Sequence, residues 1–198
     1  MPSETAVKRL IALVLLVCAI GSVWAADQTP PMACAVLSEQ EALALVGGPL
    51  GEIFRHVETP HAQNGYDYAS ICGFFPKGYD IQKADRPPER GIEVALHSLR
   101  TKADAKAYYD NSLAARQEMA KLPGSPFVNA RYTAVGGLGE AAVLESRSLE
   151  PEPKVTYSVA AVIFLKGSVM GQVTTWKKGT PDDTIASAAA KQVTAKLP

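Results

Sequence analysis

The most apolar segment beyond the N-terminal region is Val155 to Leu165 (VTYSVAAVIFL), where both alternating faces are hydrophobic. A strand of this kind is central and covered on both sides. Lys166-Gly167 then reads as a two-residue hairpin connection, with Val169 to Trp176 returning antiparallel. Gly91 to Arg100 alternates more strictly. Ile92, Val94 and Leu96 point one way, Glu93 and His97 the other, which predicts a strand with at least one buried face. Tyr68 to Phe75 is a strand closed by Pro76-Lys77-Gly78, and residues 51–58 form a short edge strand. Tyr132 to Val135 and Glu140 to Leu144 read as short strands on either side of Gly136-Gly137-Leu138-Gly139.

Three helices interrupt this pattern. Ser38-Glu39-Gln40-Glu41 has the form of a capping box, in which the serine hydroxyl and the glutamate carboxylate satisfy orphan amides reciprocally. Gly47-Gly48-Pro49 ends that helix. Thr101 and Asp104 open a second helix over Lys102 to about Lys121, with Ala105, Tyr109, Leu113 and Met119 on its core-facing stripe. Thr180 caps the third, Pro181 takes its first position, and Asp182 and Asp183 complement the positive helix end. Ile185, Ala189, Val193 and Leu197 recur every fourth residue and form one stripe. Thr59 to Tyr66 and Tyr79 to Arg90 are polar, proline-marked loops. This order predicts an α+β fold: an antiparallel β-sheet with helices covering both faces, an α/β/α sandwich.

The N-terminus changes the picture of where this domain resides. Lys8 and Arg9 precede an apolar run from Leu10 to Ile20, and Val23-Trp24-Ala25 supply the positions a signal peptidase reads. From Leu10 to Trp24 there are about 15 residues, short of the roughly 20 that span a bilayer. Residues 1–25 are therefore expected to be a cleaved signal peptide and 26–32 a flexible leader, with a single α/β domain over 33–198. Val17 before Cys18 argues against lipidation there. The expected location is periplasmic or secreted, with no membrane span after cleavage.

Losing Glu4, Lys8 and Arg9 from 20 basic and 20 acidic residues leaves a net charge near −1. That balance gives no electrostatic footprint for nucleic acid. Of three cysteines, Cys34 and Cys72 remain in the mature chain. Two cysteines in an oxidising compartment most often pair with each other, against the alternatives of free thiols or pairing between chains, and no Cys-x-x-Cys spacing suggests redox catalysis.

Candidate chemistry is sparse. His56 and His61 are five apart across Pro60, a spacing that suits zinc on neither a helix nor a strand, and His97 stands alone. There is no Gly-x-Ser-x-Gly elbow. The glycines at 136–139 precede a strand rather than a helix, so they read as a turn and not as a phosphate cradle. Tyr66, Tyr68, Phe74 and Phe75 cluster beside a polar loop and are candidates to line a groove for a ligand, against the alternative of core packing by Phe74 or Phe75. No cofactor, metal site or catalytic residue is expected.

Cys34, the Leu37-Ser38-Glu39-Gln40-Glu41-Ala42 helix start, Val46-Gly47-Gly48, Cys72, Gly136-Gly137-Leu138-Gly139-Glu140-Ala141-Ala142 and the Ala-rich C-terminal helix follow one another in an order. That order resembles the PsbP/Mog1-like α/β/α sandwich group, including exported bacterial proteins of the mycobacterial LpqN type. Many of these are lipoproteins, and this chain lacks their lipidation pattern. The resemblance implies a non-catalytic binding or accessory module of the cell envelope, whose partner is an envelope protein or a small ligand. The alternative is a hydrolase whose site is assembled from residues distant in sequence.

Overall fold

A computed structural model describes residues 30–58, 67–80, 86–152, 155–179 and 182–198, with the backbone alone at 52–54, 56, 58, 151 and 152. The expected signal peptide and most of the leader, His61, Tyr66, Thr180 and Pro181 lie outside the described residues.

Seven strands form one sheet: β1 (Leu50–Glu58), β2 (Tyr68–Pro76), β3 (Arg90–Ser98), β4 (Arg131–Ala134), β5 (Ala141–Glu152), β6 (Val155–Lys166) and β7 (Val169–Lys178). Their spatial order is β1-β2-β3-β7-β6-β5-β4, and every neighbouring pair is antiparallel. Tyr157 to Leu165 of β6 are all buried, as its doubly apolar pattern requires. The β6–β7 register pairs Lys166 with Val169, so the turn is Gly167-Ser168, one residue later than the sequence suggested. Gly167 has φ +59° and Ser168 does not share the positive φ, the pattern of a type II′ hairpin turn.

Four helices complete the fold: α1 (Ala33–Val36), α2 (Glu39–Val46), α3 (Lys102–Met119) and α4 (Asp183–Lys196). Alternation along the strands sorts the core into two layers. Ala160, Val162 and Phe164 of β6 and Ile92, Val94 and Leu96 of β3 pack with α1, α2 and α4 on one face. Ile163 and Leu165 pack with Ala105 and Tyr109 of α3 on the other. The helices thus cover both faces of an antiparallel sheet, as the sequence predicted. In α4 the inner surface includes Ala186 and Ala190 beside Ala189, Val193 and Leu197, all buried, and small side chains let the helix approach the sheet closely.

The Ser38 capping box is present in both directions. Glu41, its acidic member, also accepts from Lys196 of α4 at 2.7 and 2.8 Å. That lysine, with the amide and hydroxyl of Ser38, holds the Glu41 carboxyl down at about 2. The Cys34–Cys72 disulfide is formed, with S–S 2.05 Å, tying α1 to β2. The sequence missed α1, a single turn at the end of the expected leader. It is anchored where the Ala33 amide donates to Ser70 Oγ at 3.0 Å.

Two further boundaries differ. Helix α4 begins at Asp183 with Asp182 as its N-cap residue. Strand β5 continues to Glu152, well past the expected end at Leu144, and the charges of Glu145 and Arg147 along it are neutralised inside the protein. Glu145 is fully buried, accepts from Arg116 Nη1 at 3.0 Å, and lies 3.2 Å from Arg147 Nε. Arg116 also donates to Gln172, Arg147 donates to the Pro126 carbonyl, and both guanidiniums lie against the ring of Phe127. Tyr132 sits opposite Glu145, and burial together with the Glu145 charge pushes its phenol up to about 12.

Candidate functional site

Of the aromatic residues singled out in the sequence, Phe74 and Phe75 do not share one groove. Strand alternation puts Phe74 into the core with Ile92, while Phe75 points to the opposite face, against Tyr79 (5.4 Å) and Trp176 (5.6 Å). Tyr68 shares the face of Phe74 but lies six residues along the strand, where its hydroxyl meets Met32 Sδ at 2.6 Å. Phe74 and Phe75 are both buried, which is the core-packing alternative. His97 packs against Tyr108 at 5.4 Å. Among the described residues, no three of His, Cys, Asp and Glu converge as a metal site.

A different site emerges where α2 and α4 part over the sheet. The two helices are tied at one end by Glu41–Lys196 and run in opposite directions. Helix α2 must stop at Val46, because Gly47 and Gly48 take φ +70° and +67°. Helix α4 starts only at Asp183, after the chain has left β7 through Gly179 (φ +97°). Between Val46 and Ile185 the sheet surface therefore lies open, in a cleft of about 310 Å³. That is the lower end of the range for small-molecule sites.

Val46, Ala160 and Ile185 give the cleft an apolar floor, and Ser158 and Thr175 add two hydroxyls. Both hydroxyls are committed as donors, Ser158 to the Gly179 carbonyl at 2.6 Å and Thr175 to the Ala160 carbonyl at 3.3 Å. The rim carries Glu89, Arg90, Lys177, Lys178 and Asp182. Lys177 pairs with Asp182 and Lys178 with Glu89, each at 3.0 Å. The Thr184 hydroxyl and Lys177 hold the Asp182 carboxyl below its usual range, and the Glu89 hydrogen bond raises Lys178.

Arg90 is left over. It is half-buried, its Nε is shielded from solvent, and among the described residues its guanidinium makes no hydrogen bond or ion pair. The group lies against Gly48, where any side chain would collide with it. It thus sits at the C-terminal end of α2, whose carbonyl dipoles favour a cation. A buried donor without an acceptor carries a desolvation cost.

Sequence reasoning placed Arg90 at the end of a loop. The signal was nevertheless present: Arg90 falls two residues before Ile92 in the alternation Ile92-Val94-Leu96, so it stands on the apolar face of β3.

Chemically, this lining suits binding. It contains no histidine, both hydroxyls point to carbonyls, and both carboxylates are neutralised by lysines.

No family model and no curated protein sequence matches the chain. Among solved structures, the extracellular domain of PknH from Mycobacterium tuberculosis is a distant neighbour at 11% identity and a TM-score of 0.43, covering 81% of this chain and 96% of that one.

Proposed function

We propose that this chain is an exported, non-catalytic binding module of the cell envelope that takes a small ligand in the cleft between α2 and α4. The cleft itself carries this reading: an apolar floor, a rim whose other charges are paired, and one guanidinium without a partner among the described residues. Two observations support export. The N-terminus has the three-part form of a secretory signal. The Cys34–Cys72 bond suits an oxidising compartment, since cytosolic thiols are kept reduced. No helix among the described residues is long and apolar enough to cross a membrane.

Amide NMR of the exported protein with a panel of small uncharged, anionic and cationic fragments tests the site. The expected result is a cluster of saturable shifts at Val46, Arg90, Ser158, Thr175 and Ile185 for at least one fragment class. Shifts scattered over the surface, or centred elsewhere, would overturn the assignment.

A further inference from the structure

The binding-module reading rests on the cleft's shape, and its charge pattern goes further. We infer that the cleft is built for an amphipathic anion, with a single carboxylate or phosphate head held by Arg90 and an apolar tail lying over Val46, Ala160 and Ile185. This inference rests on the proposed function above and specifies its ligand class.

Each part of the ligand answers a feature of the site. Three cations and two carboxylates line the cleft, and the two lysines are matched by the two acids, which leaves one positive charge at Arg90. A guanidinium presents planar paired donors that fit a carboxylate or phosphate bidentately. Nε is closed to solvent and so to a ligand oxygen, but the two Nη groups are not among the buried atoms and make no hydrogen bond or ion pair among the described residues, so they are the donors open to an arriving anion. Gly48 leaves the space at the end of α2 that the guanidinium fills, and an added Cβ there would make the guanidinium shift.

The tail follows from the floor. Ala160 is a small core residue of the central strand, and Val46 and Ile185 are half-buried, so their flanks present apolar surface to the cleft. A cleft of about 310 Å³ is of the size that takes a small molecule. Octanoate is a probe of that size.

Calorimetric titration of the exported protein with octanoate, octyl phosphate, octanol, octylammonium and inorganic phosphate tests the inference. The two anionic amphiphiles are expected to bind one to one, at least tenfold more tightly than octanol, with octylammonium and free phosphate weaker still. Whichever anion binds more tightly identifies the head. Arg90→Gln should bring the anions down to the level of octanol, and Arg90→Lys should restore part of the difference. A circular dichroism melt of each variant checks that it folds. Octanol or octylammonium binding as tightly as octanoate, with NMR shifts at the cleft, would overturn the anion inference while leaving the binding-module reading intact. Phosphate binding as tightly as octyl phosphate would remove the tail from the proposal. Anion binding indifferent to Arg90→Gln in a folded variant would overturn it outright.

Discussion

The guanidinium of Arg90 occupies the space that a side chain at position 48 would need. Gly47 and Gly48 both take positive φ, but open space surrounds Gly47. The pair therefore separates two effects. Gly47→Ala and Gly48→Ala should each cost about 1–3 kcal/mol in urea denaturation, from placing a side chain at positive φ. Only Gly48→Ala should also shift the Arg90 Nε–H resonance, because only that methyl reaches the guanidinium. An unmoved Arg90 signal in Gly48→Ala would show that the glycine does not position the arginine.

The disulfide joins residues separated by 38 positions. Closing such a loop stabilises the fold by about 4 kcal/mol in the chain-entropy account. Replacing both cysteines by alanine should lower unfolding free energy by that order, and reducing agent should destabilise the parent but leave the double variant unaffected. Equal sensitivity of the two proteins to reductant would contradict the bond.

Glu93 lies half-buried on the β3 face opposite Ile92 and Val94, and burial pushes its carboxyl up from 4.5 to about 6. The folded state thus holds this proton more tightly than the unfolded chain. Its favourable contribution is complete below pH 4.5 and is lost as pH rises through 6. Glu93→Gln should therefore stabilise the protein at pH 7 by up to about 2 kcal/mol and leave it unchanged near pH 4. Urea denaturation at the two pH values decides this, and a gain that is the same at both would be inconsistent with a desolvated carboxyl.

Arg116 neutralises Glu145 where no solvent reaches the carboxylate, whereas Lys106 pairs with Asp110 in the open. Removing one partner of a buried pair is costly. Arg116→Met should destabilise by about 3 kcal/mol. Lys106→Met should change stability by less than about 1 kcal/mol. Thermal unfolding of both variants compares them directly, and equal effects would mean that the Arg116–Glu145 contact is not structural.

Much of the fold was legible because its periodicities are simple. The doubly apolar Val155–Leu165 run, the Ile92-Val94-Leu96 alternation and the Ser38 and Thr101 caps each fix an element from adjacent residues alone. What was not legible depends on distant partners. Strand β5 was read only as far as Leu144, and the partner that makes the burial of Glu145 tolerable, Arg116, lies 29 residues earlier on α3. The helical turn at Ala33–Val36 is too short to carry a period and is held instead by Ser70 and Cys72 of β2. The aromatic cluster misled because neighbours in sequence point to opposite faces of a strand, which separates Phe74 from Phe75. The cleft was hidden for the complementary reason. Its lining comes from α2, β3, β6, β7 and α4, and only the misplaced charge of Arg90 on an apolar face pointed toward it.

Native mass spectrometry of the protein recovered from the envelope fraction of the cells that make it tests the central claim most directly. The account predicts a polypeptide mass corresponding to residues 26–198 less two hydrogens for the Cys34–Cys72 bond, accompanied by a small non-covalent adduct that is lost in Arg90→Gln. A chain that retains residues 1–25 in the cytoplasm, or an exported chain whose adduct persists unchanged in Arg90→Gln, would contradict it.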